Sequence, residues 1–245
     1  METVFLRYEK KYVLSKIERD NLIAGFLANG FTFDTYSPNG KHYAVYTVYY
    51  DTSNFEVIRQ SQTRLSYKEK LRVRFYEYPL NNDSTLFVEL KKKLSGQGNK
   101  RRLALTLDQV TNLFNGKELS FDDYTQNQIY KEIKYYLTRY TVKPFTFVKY
   151  SRLALIHEQT GIRITFDDEI HYAHLKSLDK KSLFFELPQS KDLIVMEIKS
   201  LNNYPLWLSN LLTKEKVYAK NFSKYRNTYE TLHEGGMIYV NTWFN

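Results

Sequence analysis

Ser66–Tyr78 reads SYKEKLRVRFYEY, and from Lys68 onward its residues alternate. Lys68, Lys70, Arg72, Arg74 and Tyr76 share one parity, while Leu71, Val73 and Phe75 share the other. Successive side chains of a strand point to opposite faces, so this segment reads as a strand with one apolar face and one face carrying four cations. A single strand of this kind is ordinary as the solvated outer face of a sheet. The pattern recurs along the chain, however, and the recurrence decides the fold.

Phe5–Leu14 alternates with Arg7, Glu9 and Lys11 on one side. Thr85–Lys93 places Phe87, Glu89, Lys91 and Lys93 together, opposite Leu86, Val88 and Leu90. Phe145–Leu155 groups Val148, Tyr150 and Arg152; Gly161–Asp168 groups Arg163, Thr165 and Asp167; Leu193–Lys199 sets Glu197 and Lys199 against Ile194, Met196 and Ile198. Tyr43–Tyr50 is a further strand, rich in Tyr and Val. The apolar faces call for helices to cover them. If helices cover the outside, the charged faces must look at one another, as they do when an antiparallel sheet closes into a barrel.

The helices are legible from their caps and stripes. Ser15 with Glu18 three residues later forms a capping box for a helix over Lys16–Ala28, whose Ile17, Leu22, Ile23, Phe26 and Leu27 are expected to face the core. Short helices are expected at Phe55–Gln60, Leu107–Phe114 and Leu206–Leu212, the last opened by Pro205. Longer ones are expected at Asp123–Tyr136, capped by Asp122 or Asp123, and at Asn221–Leu232, with Lys224 in its first turn. Pro144 is expected to end the helical region before it. Ser95–Asn99, with Gly96 and Gly98, reads as a loop leading into the charge cluster Lys100-Arg101-Arg102, and Thr160-Gly161 suits a hairpin turn.

With 245 residues, 42% of them hydrophobic, the chain can bury a substantial core, and one domain over residues 1–245 is the expectation. The 22 Tyr and 16 Phe suit strands. A formal net charge of +9 points to a polyanionic partner. The chain has no cysteine, which excludes disulfides, thiolate metal sites and cysteine nucleophiles. The first residues do not read as a signal peptide, and no apolar stretch approaches the roughly 20 residues of a membrane span. A soluble, cytoplasmic protein is expected, with a membrane partner outside this chain left open. His42, His157, His171, His174 and His233 show no metal-ligand spacing, and Trp207 and Trp243 read as packing residues.

A face crowded with cations repels itself and is costly to dehydrate, so it calls for counterions or for an extended anion such as a triphosphate or polyphosphate. The few carboxylates would pair with the basic residues or hold a divalent metal shared with phosphate oxygens. Nucleic acid is disfavoured, because the cations alternate with aliphatic residues and not with stacking rings.

The ordered set RYEKK, YYDT, KEKLRVR, VELKKK, KRR, YSR, IRITFD, MEIK and FSKY, running from about Phe5 to Tyr229, resembles the VTC domain. That is the catalytic domain of the vacuolar transporter chaperone polyphosphate polymerases, in the triphosphate tunnel metalloenzyme superfamily. The resemblance implies an α+β fold with a closed eight-stranded antiparallel barrel, the triphosphate tunnel, and helices packed outside. It implies transfer of the γ-phosphate of ATP to a growing polyphosphate chain with a divalent metal, manganese or magnesium.

Carried over by motif, Arg72 and Arg74 clamp the triphosphate, and Lys91, Arg152, Arg163 and Lys224 complete the catalytic set. Arg7, Lys11, Lys70, Lys93, Arg102, Tyr150 and Lys199 line the substrate path, and Glu197, Glu89 and Glu9 are the metal-ligand candidates. Glu89 and Asp167 have an alternative role in orienting neighbouring cations. Other superfamily members open with E-x-E-x-K, whereas this chain has Arg7, Glu9 and Lys11, which fits the VTC branch and leaves fewer metal ligands. At 245 residues the chain is not expected to carry both a phosphate-sensing domain and transmembrane helices. Two rival functions remain: hydrolysis of triphosphate, with water as acceptor, and a polyanion-binding module without turnover.

Overall fold

The computed structural model describes residues 8–63, 66–94, 97–174, 184–201 and 203–234. The opening stretch forms strand β4 (Tyr67–Phe75), flanked by β3 (Tyr43–Thr52) and β5 (Thr85–Leu94), both antiparallel to it. β5 continues to β6 (Gln97–Thr106), and β3 continues on its other side to β7 (Val142–His157), β8 (Ile162–His174), β10 (Ile194–Ser200) and β1 (Tyr8–Leu14). Two short strands hang off this path, β2 (Thr32–Phe33) on β7 and β9 (Phe185–Glu186) on β8.

The result is an antiparallel, sheet-rich α+β fold of ten strands, with six α-helices among the described residues. No backbone ladder joins the two edge strands β1 and β6 among those residues. The sheet nevertheless curls far enough for Lys91 Nζ on β5 to lie 3.6 Å from Glu9 on β1. The charged faces do look at one another.

Helices α3 (Leu107–Phe114) and α4 (Tyr124–Arg139) cover the outer face of β4, β5 and β6. There Ile129, Ile133 and Tyr136 pack with Leu71, Val73, Val88, Leu90 and Leu103. Over the other half, α1 (Lys16–Ala28) and α5 (Leu206–Lys214) bury Leu22, Phe26 and Leu208 against Phe166, Ile194, Met196 and Ile198. Leaving these side chains in water would cost on the order of 1.5–3 kcal/mol each. This apolar covering fixes which face of every strand is left for the charges.

Four expectations from sequence need correction. Ser95–Asn99 does not read as a loop throughout: residues 97–99 belong to β6, paired in register with β5, while residues 95 and 96 lie outside the described set. Pairing along a complete partner strand overrides the turn tendency of Gly98 and Asn99. Ile17 and Leu27 are exposed, at 75% and 40%. At about 100° per residue, Ile17 stands on the opposite side of α1 from Leu22 and Phe26.

Pro144 does not end an element; it sits inside β7 at a register shift opposite Tyr49 and Tyr50, a bulge that requires no donor there. Lastly, helix α6 (Lys224–Glu234) is not packed outside. Its Tyr225, with Phe222 before it, buries against Val45, Tyr49, Val148 and Val195 on the concave, charge-bearing side. The ring of Tyr225 stacks on Tyr49 with centroids 4.6 Å apart.

The capping box at Ser15 and Glu18 forms as the sequence implies, and Asp123 caps α4. α2 (Glu56–Gln62) is held by the buried carboxylate of Asp51, which accepts from Val57 N at 2.9 Å and Ile58 N at 3.0 Å. The same carboxylate accepts the Tyr225 hydroxyl, tying α2, β3 and α6 together at one end of the trough.

Candidate functional site

Three carboxylate-centred clusters line the concave face. Glu89, fully buried on β5, accepts from Arg72 Nε and Nη2 on β4, both at 2.7 Å, through one oxygen. Its other oxygen accepts from Arg102 Nε at 2.7 Å and Lys100 Nζ at 3.3 Å on β6. Burial by itself pushes the Glu89 carboxyl up, but Arg72, Arg74, Lys100 and Arg102 hold it well below the usual carboxylate range. Glu89 therefore acts as a fixed anion around which four cations are arranged.

The second centre is Asp167 on β8. Arg152 of β7 donates to both its oxygens, at 2.5 Å from Nε and 2.8 Å from Nη2, and Lys224 at the start of α6 donates as well. Burial raises the Asp167 carboxyl, and Arg152 and Lys224 bring it below its ordinary value. The Lys224 contact ties the first turn of α6 to Asp167. Between the two centres, the hydroxyl of Tyr150 accepts from Arg74 at 3.1 Å and from Arg152 at 3.4 Å.

The third centre is Glu197 on β10, which lies 3.4 Å from Lys11 and 3.3 Å from Lys199. Lys11 also lies 3.7 Å from Glu9, its neighbour along β1, and donates to Phe222 O at 3.0 Å. Burial raises Glu197, but Lys11, Lys199, Lys224 and Arg152 take it well below the usual range. Glu9 is raised by burial and by the charge of Glu197, yet Lys91, Lys199 and Lys11 leave it net lowered.

Cations outnumber carboxylates on this face, and two lysines carry the consequence. Lys70 has its ammonium pKa lowered to about 8 by burial and then by Lys91, Lys11, Arg226 and Lys68. Burial lowers Lys100 to about 8 as well, with Arg102 and Arg72 adding to the effect against Glu89. A polyanion seated here favours the charged form of both and returns their protons. Polyanion binding is therefore expected to take up protons around pH 8, and affinity is expected to fall as pH rises through 8. Calorimetric titration in buffers of different ionisation enthalpy measures this uptake directly, and a Lys70→Met variant should show less of it.

The structure brings together Lys11, Lys70, Arg72, Arg74, Lys91, Arg102, Tyr150, Arg152, Lys199 and Lys224 with Glu9, Glu89 and Glu197 along one face. Arg163 stands at one end of it, paired to Asp34 at 2.7 Å. Lys93 is exposed at the opposite end of β5, and Arg7 lies outside the described residues. Lys68 turns to the end of α2, donating to Ser61 O at 3.0 Å and Thr63 O at 2.6 Å. Sequence reasoning missed Lys100, whose signal was its alternation with Arg102. It also missed Asp34, Tyr225 and Arg226, which no spacing pointed to.

Among the described residues no group of three or more His, Asp or Glu side chains is arranged to hold a metal ion. His42 and His171 are occupied by Ser151 Oγ and Glu169 O, and Trp207 packs edge-on against Phe31. Two carboxylates, Glu9 and Glu197, do face a common space on neighbouring strands and share Lys11. One or two carboxylates suit a hard divalent ion that completes its shell with water and phosphate oxygens. Glu89 offers less, because both its oxygens are already taken by guanidinium and ammonium groups.

Comparison with known proteins follows the same lines. A crystal structure from Bacillus halodurans, described as that of a "putative adenylate cyclase", is similar in fold with a TM-score of 0.54 and 13% identity, covering 89% of this chain and 94% of that one. The PH1012 protein from Pyrococcus horikoshii matches at a TM-score of 0.42 and 10% identity over 89% of this chain and 98% of its own, too distant to add to the argument. No curated protein sequence matches. No helix among the described residues is long and apolar enough to cross a membrane. The VTC domain family model matches residues 6–233, nearly the whole length over which the charged strands run, and the chain belongs to that family.

Proposed function

We propose that the curled sheet acts as a tunnel that binds the triphosphate of ATP and passes its γ-phosphate to a growing polyphosphate chain. The observation that carries this reading is the orientation of the cations. Arg72, Arg102 and Lys100 are held by Glu89, and Arg152 and Lys224 by Asp167, while Arg74, also near Glu89, donates to the neutral Thr47 Oγ1 and Tyr150 OH. Fixed guanidinium groups in a partly buried trough are suited to an extended anion with several oxygens on each phosphorus.

Phosphoryl transfer asks little covalent work of the protein. A terminal oxygen of the acceptor polyphosphate attacks the γ-phosphorus, the bond from that phosphorus to the β–γ bridging oxygen breaks, and ADP leaves with the bonding electrons. That acceptor oxygen is already anionic, so no general base is obligatory. Arg72, Arg74, Arg152 and Lys224 hold the phosphates in line and offset charge on the transferred group, and Lys11, Lys70, Lys91, Arg102, Arg163 and Lys199 hold the remaining anion. Glu197, with Glu9, would hold a divalent ion, manganese or magnesium, which supplies Lewis-acid neutralisation of the phosphate oxygens when bound. Glu89 and Asp167 act as organisers of their cations. Lys93 extends the basic path at the far end of β5.

Hydrolysis is the second reading, since water in place of the acceptor gives free phosphate from the same trough. Incubation with ATP and manganese, resolving free phosphate from long polymer, separates the two. Polymer is the expected product. Glu197→Ala is expected to cut metal-dependent turnover by about 10²–10³, the scale of losing one preorganised electrostatic group, while leaving metal-free triphosphate binding at least as tight. Weaker metal-free binding in that variant would assign Glu197 to the phosphate path itself.

A further inference from the structure

One end of the charged face is rimmed by aromatic rings that the phosphate path leaves unused. Tyr43 on β3 stands in register with Arg152 on β7. Tyr76 follows Arg74 by two residues, and Phe87 on β5 lies opposite Arg74. Two residues along a strand is about 7 Å on the same face, so Tyr76 sits one step beyond Arg74 and Phe87 one step beyond Glu89, while Tyr43 stands across from Arg152. The rings form a continuous arc: Tyr36 to Tyr43 at 6.0 Å, Tyr43 to Tyr76 at 6.2 Å, and Tyr76 to Phe87 at 5.8 Å between centroids. Arg102 lies over the Phe87 ring at 4.6 Å.

The arc is open where it would meet a ligand. Tyr36 is 68% exposed and Tyr76 is 40% exposed, unusual for rings that a fold uses only to fill its core. The arc is also wired to the cations. Tyr36 N donates to Asp34 Oδ1 at 3.0 Å, and the other oxygen of Asp34 accepts from Arg163. The Tyr43 hydroxyl lies 3.5 Å from Arg163 Nη2. The turn that presents Tyr36 is thus fixed by the guanidinium at the end of the phosphate path.

We propose that Tyr36, Tyr43 and Tyr76 form a stacking platform for the base of a nucleoside triphosphate whose phosphates run inward from Arg163, along Arg74 and Arg152, to Arg72 and Lys224. This rests on the triphosphate reading above and deepens it. A linear inorganic polyphosphate has no group that stacks on these rings, whereas a purine does, so the platform selects the donor nucleotide over the polymer at this end. The polymer is then left to occupy the path beyond Arg72 and Lys70.

The test compares two probes, the β,γ-imido analogue of ATP and inorganic tripolyphosphate, by calorimetric titration without divalent metal. Wild type is set beside Tyr36→Ala/Tyr76→Ala and the ring-preserving Tyr76→Phe. Because the two probes differ in charge, the readout is the change in their affinity ratio from one protein to another. The double alanine variant is expected to lose about 5- to 150-fold in nucleotide affinity, with tripolyphosphate affinity unchanged, and Tyr76→Phe to keep the wild-type ratio. An unchanged ratio in the alanine variant, or equal loss for both probes, overturns the platform while leaving the triphosphate site standing. Failure of wild type to bind either probe overturns both.

Discussion

Glu89→Ala is expected to destabilise the fold by about 3–5 kcal/mol, because removing one partner leaves the others as uncompensated charges in a buried place. Arg72 bears most of this cost: its guanidinium is largely buried and both its contacts to Glu89 are lost, whereas Lys100 is nearly half exposed and recovers water. Urea denaturation measures the change. Adding tripolyphosphate should restore much of the loss, since an anion bound only by the folded state replaces the missing carboxylate. A loss below about 1 kcal/mol would show that Glu89 does not organise the arginines. The depressed Glu89 pKa also has a sign: its stabilisation is complete above the unfolded carboxylate pKa and is lost only as pH falls through the lower folded value.

Arg74→Ala is expected to act in the opposite way, weakening ligand binding far more than folding. Its guanidinium is buried and, among the described residues, donates to the hydroxyls of Thr47 and Tyr150, while Arg72 and Arg102 take the oxygens of the nearby Glu89 carboxylate. Removing it relieves repulsion from Arg72 and Arg102, which offsets part of the loss of two charge-assisted hydrogen bonds and of the attraction to Glu89. Tripolyphosphate affinity is expected to fall by about 2–4 kcal/mol, roughly 30- to 1,000-fold, the scale for truncating one member of a buried charge pair. Titration calorimetry beside a thermal melt measures both quantities. A variant that melts many degrees lower and binds unchanged would place Arg74 in the scaffold and not in the site.

How much of this was legible in the sequence depended on whether local periodicity or tertiary contact set the answer. β4 was visible because it alternates strictly, and β5, β8 and β10 because most of their charges fall on one parity opposite apolar residues; β7 alternates less cleanly, with Lys149 and Arg152 on opposite parities. The same alternation gave the inward faces of Arg72, Glu89, Arg152, Asp167 and Glu197. β6 was hidden by Gly98 and Asn99, whose pairing depends on β5.

Helix α6 was recognisable as a helix, but its place on the concave side depends on Tyr225 stacking on Tyr49 and bonding Asp51, residues more than 170 positions away. The continuation of β8 to His174 was missed for a related reason. Glu169 adopts φ +49, and beyond it Ile170 and Tyr172 turn to the apolar end of the concave face, breaking the parity that had been followed to Asp167. The role of Glu89 was left between metal ligand and organiser by its residue type. Geometry favours the second, through the cations that β4 and β6 place on both its oxygens.

The most direct test is a crystal structure with the imido analogue of ATP and manganese. The account predicts three phosphates along the concave face with oxygens on Arg72, Arg74, Arg152 and Lys224, and a manganese ion held by Glu197 and phosphate oxygens. Phosphates bound on the outer face, or a trough without anion density at saturating ligand, would contradict it.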